Sequence, residues 1–284
     1  MLGSVRVSPI DIEPGRPLGA AADDPDLLHA AATDPEGFLV ARRDGNAVGT
    51  GAGIVRGETL QVVLLRVEPD SRGKGVGSAL LAALCAYGRS RGARGVELPA
   101  PSEPAALAFA LRAGLPLATT FICLDSKTAR PLVPGARQVP TLQAVAAGAG
   151  LTGWVADLDR ETRGFSRPAE WAAWIAREGS EVLASRRRGR PEAIGAIVRN
   201  GTGAVIGPIS ARTPESAAEM LTALAARAAA PGAVRIALTL PVEARLLVER
   251  AFRMGFLVSG SIALFSSARQ GDFRRYAAAG NVFL

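Results

Sequence analysis

The residues with the clearest chemical potential form a glycine-rich segment, Arg72-Gly73-Lys74-Gly75-Val76-Gly77-Ser78. It follows an apolar run at Leu60–Val67, which predicts a central β-strand, and it opens a helical apolar pattern that ends at Ser90. A strand-to-helix turn of this kind aims successive backbone N–H groups at one point, and the helix dipole reinforces them. The segment therefore predicts a phosphate site with Arg72 and Lys74 at its rim, and the alternative is a tight turn without a ligand.

Two common nucleotide-binding motifs do not fit the segment. A Walker A motif needs Gly-Lys followed by Ser or Thr, whereas Gly75 follows Gly73-Lys74 here. A dinucleotide fingerprint needs a second parallel βαβ unit with a ribose-binding acid, which the pattern does not provide.

The predicted elements around the loop occur twice in the chain. The first half predicts an N-terminal strand within residues 1–15, strands Gly37–Arg43, Ala47–Val55, Leu60–Val67, Gly95–Leu98 and Leu117–Leu124, and helices Gly75–Ser90 and Glu103–Ala113. The second half predicts helices at 141–160, Ala169–Arg177, Glu215–Ala228 and Val242–Met254, and strands Glu181–Arg187, Ala193–Arg199, Ala204–Ile209, Val234–Leu240 and Phe256–Phe265. Residues 128–140 contain three prolines and predict a linker. We therefore expect an α+β fold with a mixed sheet, in two modules, 1–127 and 141–284.

Composition excludes several classes of protein. The chain has 284 residues, of which 48% are hydrophobic, and it contains no apolar run near the roughly 18 residues that a membrane span requires. Its two cysteines, Cys85 and Cys123, resemble small buried hydrophobic residues of a reducing compartment. The single histidine, His29, excludes a histidine-rich metal site, and we interpret it as a solvated surface residue. We expect a soluble, cytoplasmic protein without a metal.

Charge divides unevenly between the halves. Residues 1–127 carry 13 Lys and Arg against 14 Asp and Glu, whereas the remainder carries 20 against 12. The basic excess of the second half could attract an anionic partner such as a nucleic acid. The basic tip Arg186-Arg187-Arg188-Gly189-Arg190 has no interleaved aromatic residues, so a solvated turn is favoured and nucleic-acid binding is only a minor alternative.

The loop resembles a known family signature. Arg72-x-x-Gly75-x-Gly77, after a strand that ends in Val67-x-Pro69, resembles the acetyl-CoA motif of the GCN5-related N-acetyltransferase (GNAT) superfamily. This resemblance covers essentially the whole first half. It implies that the amides of Gly73, Lys74, Gly75, Val76, Gly77 and Ser78, with Arg72, hold the CoA pyrophosphate. It also implies that the strand segment Leu65, Arg66 and Val67 hydrogen-bonds the pantetheine.

The second half resembles the same fold more weakly. Its strand-to-helix segment runs Ile206-Gly207-Pro208-Ile209-Ser210-Ala211-Arg212-Thr213-Pro214-Glu215, and no glycine follows Gly207. Asp159 and residues 163–167 resemble the opening helices of the second module in bacterial tandem acetyltransferases. The second half is thus expected to be a degenerate GNAT-like module that has lost CoA binding.

In such an enzyme the acceptor amine attacks the thioester directly, without a covalent enzyme intermediate. The resemblance gives the Val67 N–H the task of polarising the thioester carbonyl. Ala110 stands where the family usually has a tyrosine that protonates the leaving thiolate, and Glu103 stands where an asparagine is common. Glu97, Glu103 and Glu68 are candidate general bases, and for each the simpler interpretation is a solvated surface acid.

Two remaining aromatic groups have structural and functional interpretations. Tyr87 lies on the apolar stripe of its helix and is interpreted as core. Trp154, Trp171 and Trp174 pack the helices that open the second half, or else form one wall of a substrate pocket.

The sequence leaves two main functions open. The first is an N-acetyltransferase that moves acetyl from acetyl-CoA to a small-molecule or peptide amine. The second is an acyl-CoA-binding sensor or regulatory protein with weak turnover or none. No sequence motif identifies the acceptor. For the oligomeric state, a monomer is slightly favoured, because two fused modules could replace a dimer.

Overall fold

The computed structural model describes residues 9–16, 24–126, 141–145, 153–229 and 234–280. The chain divides into two compact units, Met1–Leu98 and Pro99–Leu284. The predicted linker at 128–140 lies outside the described residues. The module boundary predicted from the sequence repeat comes later in the chain than the division between the compact units, and residues 99–126 belong to the second unit.

The first unit contains a five-stranded sheet in the order β1-β2-β3-β4-β5. Its elements are β1 (Asp11–Pro14), α1 (Pro25–Thr33), β2 (Phe38–Arg43), β3 (Asn46–Arg56), β4 (Thr59–Val67), α2 (Val76–Ser90) and β5 (Gly95–Pro101). Strands β1 to β4 pair antiparallel, and β5 runs parallel to β4. The β2–β3 turn has positive φ at Asp44 and Gly45, as the sequence predicts for a two-residue hairpin.

Helix α2 lies close against β3 because one face of that strand consists of glycines. A Cβ on Gly51 would lie 3.1 Å from Leu84 Cδ1, and one on Gly49 would lie 3.0 Å from Val76 Cγ1. Val76, Leu80 and Leu84 are fully buried in this contact. The close approach fixes the start of α2, and therefore the glycine-rich loop, relative to the sheet.

Strands β4 and β5 separate part-way along their length. They pair over Thr59–Gln61 and Gly95–Glu97 only, although β4 continues to Val67. Immediately beyond this point Val63 forms a β-bulge against β3, which bends the strand. In the described part of the chain, the edge of β4 from Leu64 onward has no strand partner opposite β3.

The second unit contains the sheet order β12-β6-β11-β10-β9-β8-β7, with β13 also paired to β10. Its strands are β6 (Leu117–Ser126), β7 (Leu142–Ala144), β8 (Ser180–Arg187), β9 (Arg190–Asn200), β10 (Gly203–Ala211), β11 (Arg235–Pro241), β12 (Leu257–Ser266) and β13 (Tyr276–Ala277). Its helices are α3 (Pro104–Arg112), α4 (Trp154–Arg163), α5 (Pro168–Ala176), α6 (Pro214–Ala229) and α7 (Arg245–Arg253). The main core lies between α6, α7 and the sheet, where Met220, Leu224 and Leu247 are fully buried.

Strand β6 is the last strand that the sequence assigns to the first module, yet it is the middle of a three-stranded segment of the second unit. It pairs antiparallel with β11 on one side and with β12 on the other. Phe121, for example, lies opposite Pro241 and opposite Ile262. The second unit therefore takes a central strand from early in the chain.

The α+β fold, the mixed sheet and the tandem arrangement are confirmed, and one helix prediction is wrong. Residues 141–160 were expected to form a continuous helix, but Leu142–Ala144 form β7 and α4 starts at Trp154. Residues 146–152 of the predicted helix lie outside the described residues.

Candidate functional site

The loop between β4 and α2 is open on its outer face. After a short 3₁₀ turn at Pro69–Ser71, Gly73 and Gly75 adopt positive φ angles of 72° and 84°. These left-handed conformations favour glycine. A Cβ on either residue would meet no heavy atom within 4 Å, so the glycines are required by backbone conformation and leave space above the loop.

The first turn of α2 offers backbone donors to that space. Gly75 is the N-cap and supplies no side-chain acceptor, and its carbonyl accepts from Ala79 N at 3.0 Å as the helix begins. The N–H groups of Val76, Gly77 and Ser78 have no acceptor within the helix, because the first turn precedes the i−4 ladder. The geometry is that of an anion-binding helix start.

Two arginines donate to backbone carbonyl groups, one within the loop and one at the end of β4. Arg72 Nε donates to the Val67 carbonyl at 3.2 Å, and Arg43 Nη2 donates to the Lys74 carbonyl at 3.2 Å. Arg72 thus fixes the end of β4 in addition to placing charge at the rim, and Lys74 itself is exposed. Sequence reasoning missed Arg43, because a single arginine at the end of β2 gives no local signal of its contact 31 residues away.

The open edge of β4 presents backbone groups at alternate residues. Glu68 N donates to Val48 O at 3.0 Å while Val67 lies opposite Gly49, so the Val67–Gly49 pair is a non-hydrogen-bonded pair. The N–H and C=O of Val67 and of Leu65 therefore point away from β3, toward the open edge. Those of Arg66 point toward β3, and its side chain is exposed.

The three candidate bases have different environments. Glu97 is fully buried on β5, opposite Gln61 at the last paired position before β4 and β5 separate. Gln61 is also buried and accepts a hydrogen bond from Arg56 Nη1 at 2.7 Å. The interpretation of Glu97 as a solvated surface acid is wrong. Glu68 and Glu103 are exposed, and Glu103 is the N-cap residue of α3 in the second unit.

Neither tyrosine of the chain is at the position that the resemblance associates with acid catalysis. The hydroxyl of Tyr87 donates to Asp34, and burial together with this hydrogen bond raises the pKa of Tyr87. Tyr276 is fully buried and its hydroxyl accepts from Arg167 Nη1 at 3.1 Å. Ala110 is fully buried, and its side chain carries no hydroxyl.

The corresponding turn of the second unit is closed. Only Arg212 and Thr213 separate β10 from α6, whereas residues 68–75 separate β4 from α2. Ser216 N donates to Thr213 Oγ1 and Thr213 N donates to Ser216 Oγ, both at 3.1 Å. This reciprocal cap satisfies the helix start with the protein's own side chains.

For most of the other residues discussed in the sequence analysis, the structure agrees with a packing or surface role. Trp171 and Trp174 are buried edge-to-face, with ring centroids 5.1 Å apart, whereas Trp154 is half-buried. The Arg186–Arg190 tip is an exposed hairpin turn.

His29 is half-buried and hydrogen-bonds Thr33, and burial raises the pKa of both cysteine thiols. None of the described helices is long and apolar enough to cross a membrane. The described residues also contain no group of three or more His, Cys, Asp or Glu side chains suited to a metal ion.

Comparison with known proteins identifies both halves. A sequence profile of the Acetyltransferase (GNAT) family matches residues 8–115, and a second profile, Acetyltransferase (GNAT) domain, matches residues 155–263. The chain belongs to the GNAT family. It carries two GNAT domains in tandem, as the glycine loop and the repeated element order predict.

Solved GNAT structures share this fold over nearly the whole chain. A Pyrococcus horikoshii protein assigned as an acetyltransferase is 16% identical with a TM-score of 0.76, covering 97% of this chain and 96% of its own. A GCN5-related N-acetyltransferase from Sphaerobacter thermophilus is 17% identical with a TM-score of 0.61, covering 92% and 96%. A tandem GNAT protein from the clavulanic acid biosynthesis pathway is 14% identical with a TM-score of 0.60, covering 91% and 98%. No curated protein sequence matches the chain significantly.

Proposed function

We propose that this GNAT protein is an acetyl-CoA-dependent N-acetyltransferase whose first module carries the reaction. The observation that supports this most directly is the contrast between two equivalent helix starts. The start of α2 is open, lined by N–H donors and preceded by two left-handed glycines, whereas the start of α6 is capped by Thr213 and Ser216. Only the first has the donor set that a pyrophosphate requires.

The residues of the first module divide into two binding groups. The amides of residues 73–78 would hold the pyrophosphate, with positive charge from Arg72 and Lys74 at the rim. The outward-facing backbone groups of Leu65 and Val67 would align the pantetheine along the open edge of β4. Arg66 contributes to this segment through the strand itself, since its own amide pairs with β3.

Acetyl-CoA supplies the thioester that the acceptor amine attacks directly. The Val67 N–H faces the open edge of β4, where a donor to the thioester oxygen is required. Val67 O accepts from Arg72, which holds the peptide group that follows Val67 and restrains this end of β4. The outward direction of the Val67 N–H, set by the pairing of β4 with β3, supports the assignment of Val67 as the polarising group.

Proton transfer rests on carboxylates in this proposal. Glu97 is placed at the point where β4 and β5 separate, and Glu103 and Glu68 are the exposed alternatives. Because both tyrosines are hydrogen-bonded elsewhere and Ala110 has no hydroxyl, the thiol of CoA is expected to leave as the thiolate. A thiol with a pKa of about 8.5 tolerates this at neutral pH. The acceptor is proposed to be a small-molecule or peptide amine.

The second candidate is an acyl-CoA-binding sensor without turnover, and the buried Ala110 favours it. Both candidates require the same loop, so binding and turnover must be measured separately. Acyl-CoA binding without thiol release across a panel of amines would identify the sensor. Thiol release that depends on one class of amine would identify the enzyme.

Calorimetric titration with acetyl-CoA tests the loop. Gly75→Glu would introduce a side chain and a negative charge into the open space above the loop, where the backbone N–H groups of the helix start lie. Gly57→Glu is a matched control, because Gly57 also has positive φ and open surroundings but lies in the turn before β4, at the opposite end of that strand. We expect saturable binding in wild type and Gly57→Glu, and at least a tenfold loss in Gly75→Glu. Equal affinities in all three proteins would refute the assignment of the loop.

A further inference from the structure

The second GNAT module has a strand cleft that is built like the first. Strands β10 and β11 pair in parallel from Gly203 to Ile206, and a bulge at Gly207 and Pro208 follows directly. Strands β4 and β5 show the same sequence of features, with three parallel pairs followed by the Val63 bulge. By this register Ile209 and Ser210 correspond to Leu65 and Arg66.

The chain itself occupies this second cleft. Strand β13 pairs antiparallel with β10, so that Ala277 lies opposite Ile209 and Tyr276 lies opposite Ser210. On the other side, Ala278 N donates to Thr239 O of β11 at 2.9 Å. The segment therefore bridges the two separated strands with its main chain.

The fit of the segment is tight. Tyr276, Ala277 and Ala278 are all fully buried. A Cβ on Gly207 would lie 2.0 Å from the Ala278 carbonyl oxygen, so the bulge of β10 accommodates the segment by having no side chain there.

Aromatic anchors hold the segment from one end. Phe273 packs edge-to-face on Phe121 of β6, with ring centroids 5.6 Å apart, and Tyr276 packs on the same ring at 6.5 Å. The Tyr276 hydroxyl accepts from Arg167, whose guanidinium is paired with Asp159. These contacts resemble those of an extended peptide bound by strand addition, with main-chain pairing and side-chain pockets.

We propose that the cleft of the second module is a peptide-binding site, and that its ligand is the chain's own segment Phe273–Ala279. The segment takes the main-chain positions that correspond to those the first module leaves open at β4. The second module therefore binds extended peptide in cis and has no room for acyl-CoA. The stoichiometry of one acyl-CoA per chain rests on the proposed function of the first module, whereas the peptide site does not.

The test cleaves the chain between β12 and the segment Phe273–Ala279 without removing that segment. A specific protease recognition sequence is inserted after Ser267, an exposed residue beyond β12, and the folded protein is cleaved. The uncleaved insertion protein is the matched control. Retention of the C-terminal fragment is measured by native mass spectrometry, folding by circular dichroism, and acetyl-CoA stoichiometry by calorimetry.

A labelled synthetic peptide of residues 268–284 is then offered in excess. We expect the fragment to stay bound after cleavage and the labelled peptide to exchange into the site. A peptide carrying Ala277→Asp should not exchange, because its carboxylate would be buried in the cleft. If cleavage unfolds the second unit, added peptide should restore its folded signal.

Three results would overturn the proposal. The first is release of the fragment from a chain that stays folded, whether or not a second equivalent of acetyl-CoA then binds. The second is equal exchange of the peptide and its Ala277→Asp version. The third is an unfolded chain that added peptide does not restore. If acetyl-CoA fails to bind even the uncleaved protein, the proposed function fails, while fragment retention still reports on the peptide site.

Discussion

Removal of the Asp159 carboxylate should destabilise the second unit strongly. Asp159 is fully buried and accepts hydrogen bonds from Arg167 Nη2 at 2.9 Å, Trp171 Nε1 at 2.8 Å and Ser210 Oγ at 3.1 Å. It therefore joins α4, α5 and β10. Arg167 is 1% exposed, and in Asp159→Ala its guanidinium would stay buried without this carboxylate.

The size of the effect follows from that burial. Breaking a buried ion pair by removing one partner costs about 3–5 kcal/mol. One kcal/mol shifts the unfolding midpoint of a unit of this size by roughly 2–4 °C, so Asp159→Ala should lower it by about 6–20 °C. Adding Arg167→Met removes the stranded charge, and the double variant should cost less than the two single variants summed.

Denaturant unfolding of wild type, both single variants and the double variant measures the cycle. The slope of free energy against denaturant should stay constant, so that midpoint shifts report stability. A cost below about 1 kcal/mol for Asp159→Ala would show that the pair is not a major contact. A double variant that costs the full sum of the single variants would show that the two residues act independently.

Three further predictions concern the first unit. Arg43→Met should weaken acetyl-CoA binding by about three- to tenfold in calorimetry, because one hydrogen bond to the loop is lost, while Arg42→Met on the same strand should not. Gly51→Val should lower stability by about 1–3 kcal/mol in denaturant unfolding, because its side chain meets Leu84; an unchanged midpoint would contradict the packing. The raised pKa of Tyr87 keeps this phenol neutral in the folded state while the unfolded phenol ionises above about pH 10. The free energy of unfolding should therefore fall as pH rises above 10, and it should fall more steeply in wild type than in Tyr87→Phe. Thermal unfolding at a series of pH values measures this, and parallel pH profiles for the two proteins would refute it.

The glycine loop and the order of elements could be predicted from the sequence because their signals are local. The Asp44-Gly45-Asn46 turn, the apolar strand Leu60–Val67 and the helical stripe after Gly75 each depend on neighbours within a few residues. Their bounds agree with the structure to within a few residues. The sequence also indicates a different turn in the second half, since a proline and an acid replace the glycines there, and the structure has a two-residue turn capped by Thr213 and Ser216.

Other features of the structure depend on contacts between distant parts of the chain. Arg43 contacts the loop across 31 residues, and β13 occupies a cleft formed by strands far earlier in the sequence. The burial of Glu97 could not be predicted from its sequence neighbours either, because a single acidic residue in Gly95–Leu98 is compatible with both an exposed and a buried strand. The periodicity of hydrophobic residues indicates which face of a helix or strand is buried, but it does not indicate which strands are neighbours in the sheet.

The position of β6 has a consequence for synthesis of the protein. Its two neighbours, β11 and β12, begin at Arg235 and Leu257, so the ribosome completes β6 long before either partner exists. At about 5–20 residues per second, more than a hundred intervening residues take roughly 5–20 seconds or longer. During that interval β6 has two unpaired edges, each able to template pairing with another chain. Strand β6 therefore acquires partners on both edges only after β12 has been synthesised, so the exposure of its edges lasts for most of the synthesis of the second unit.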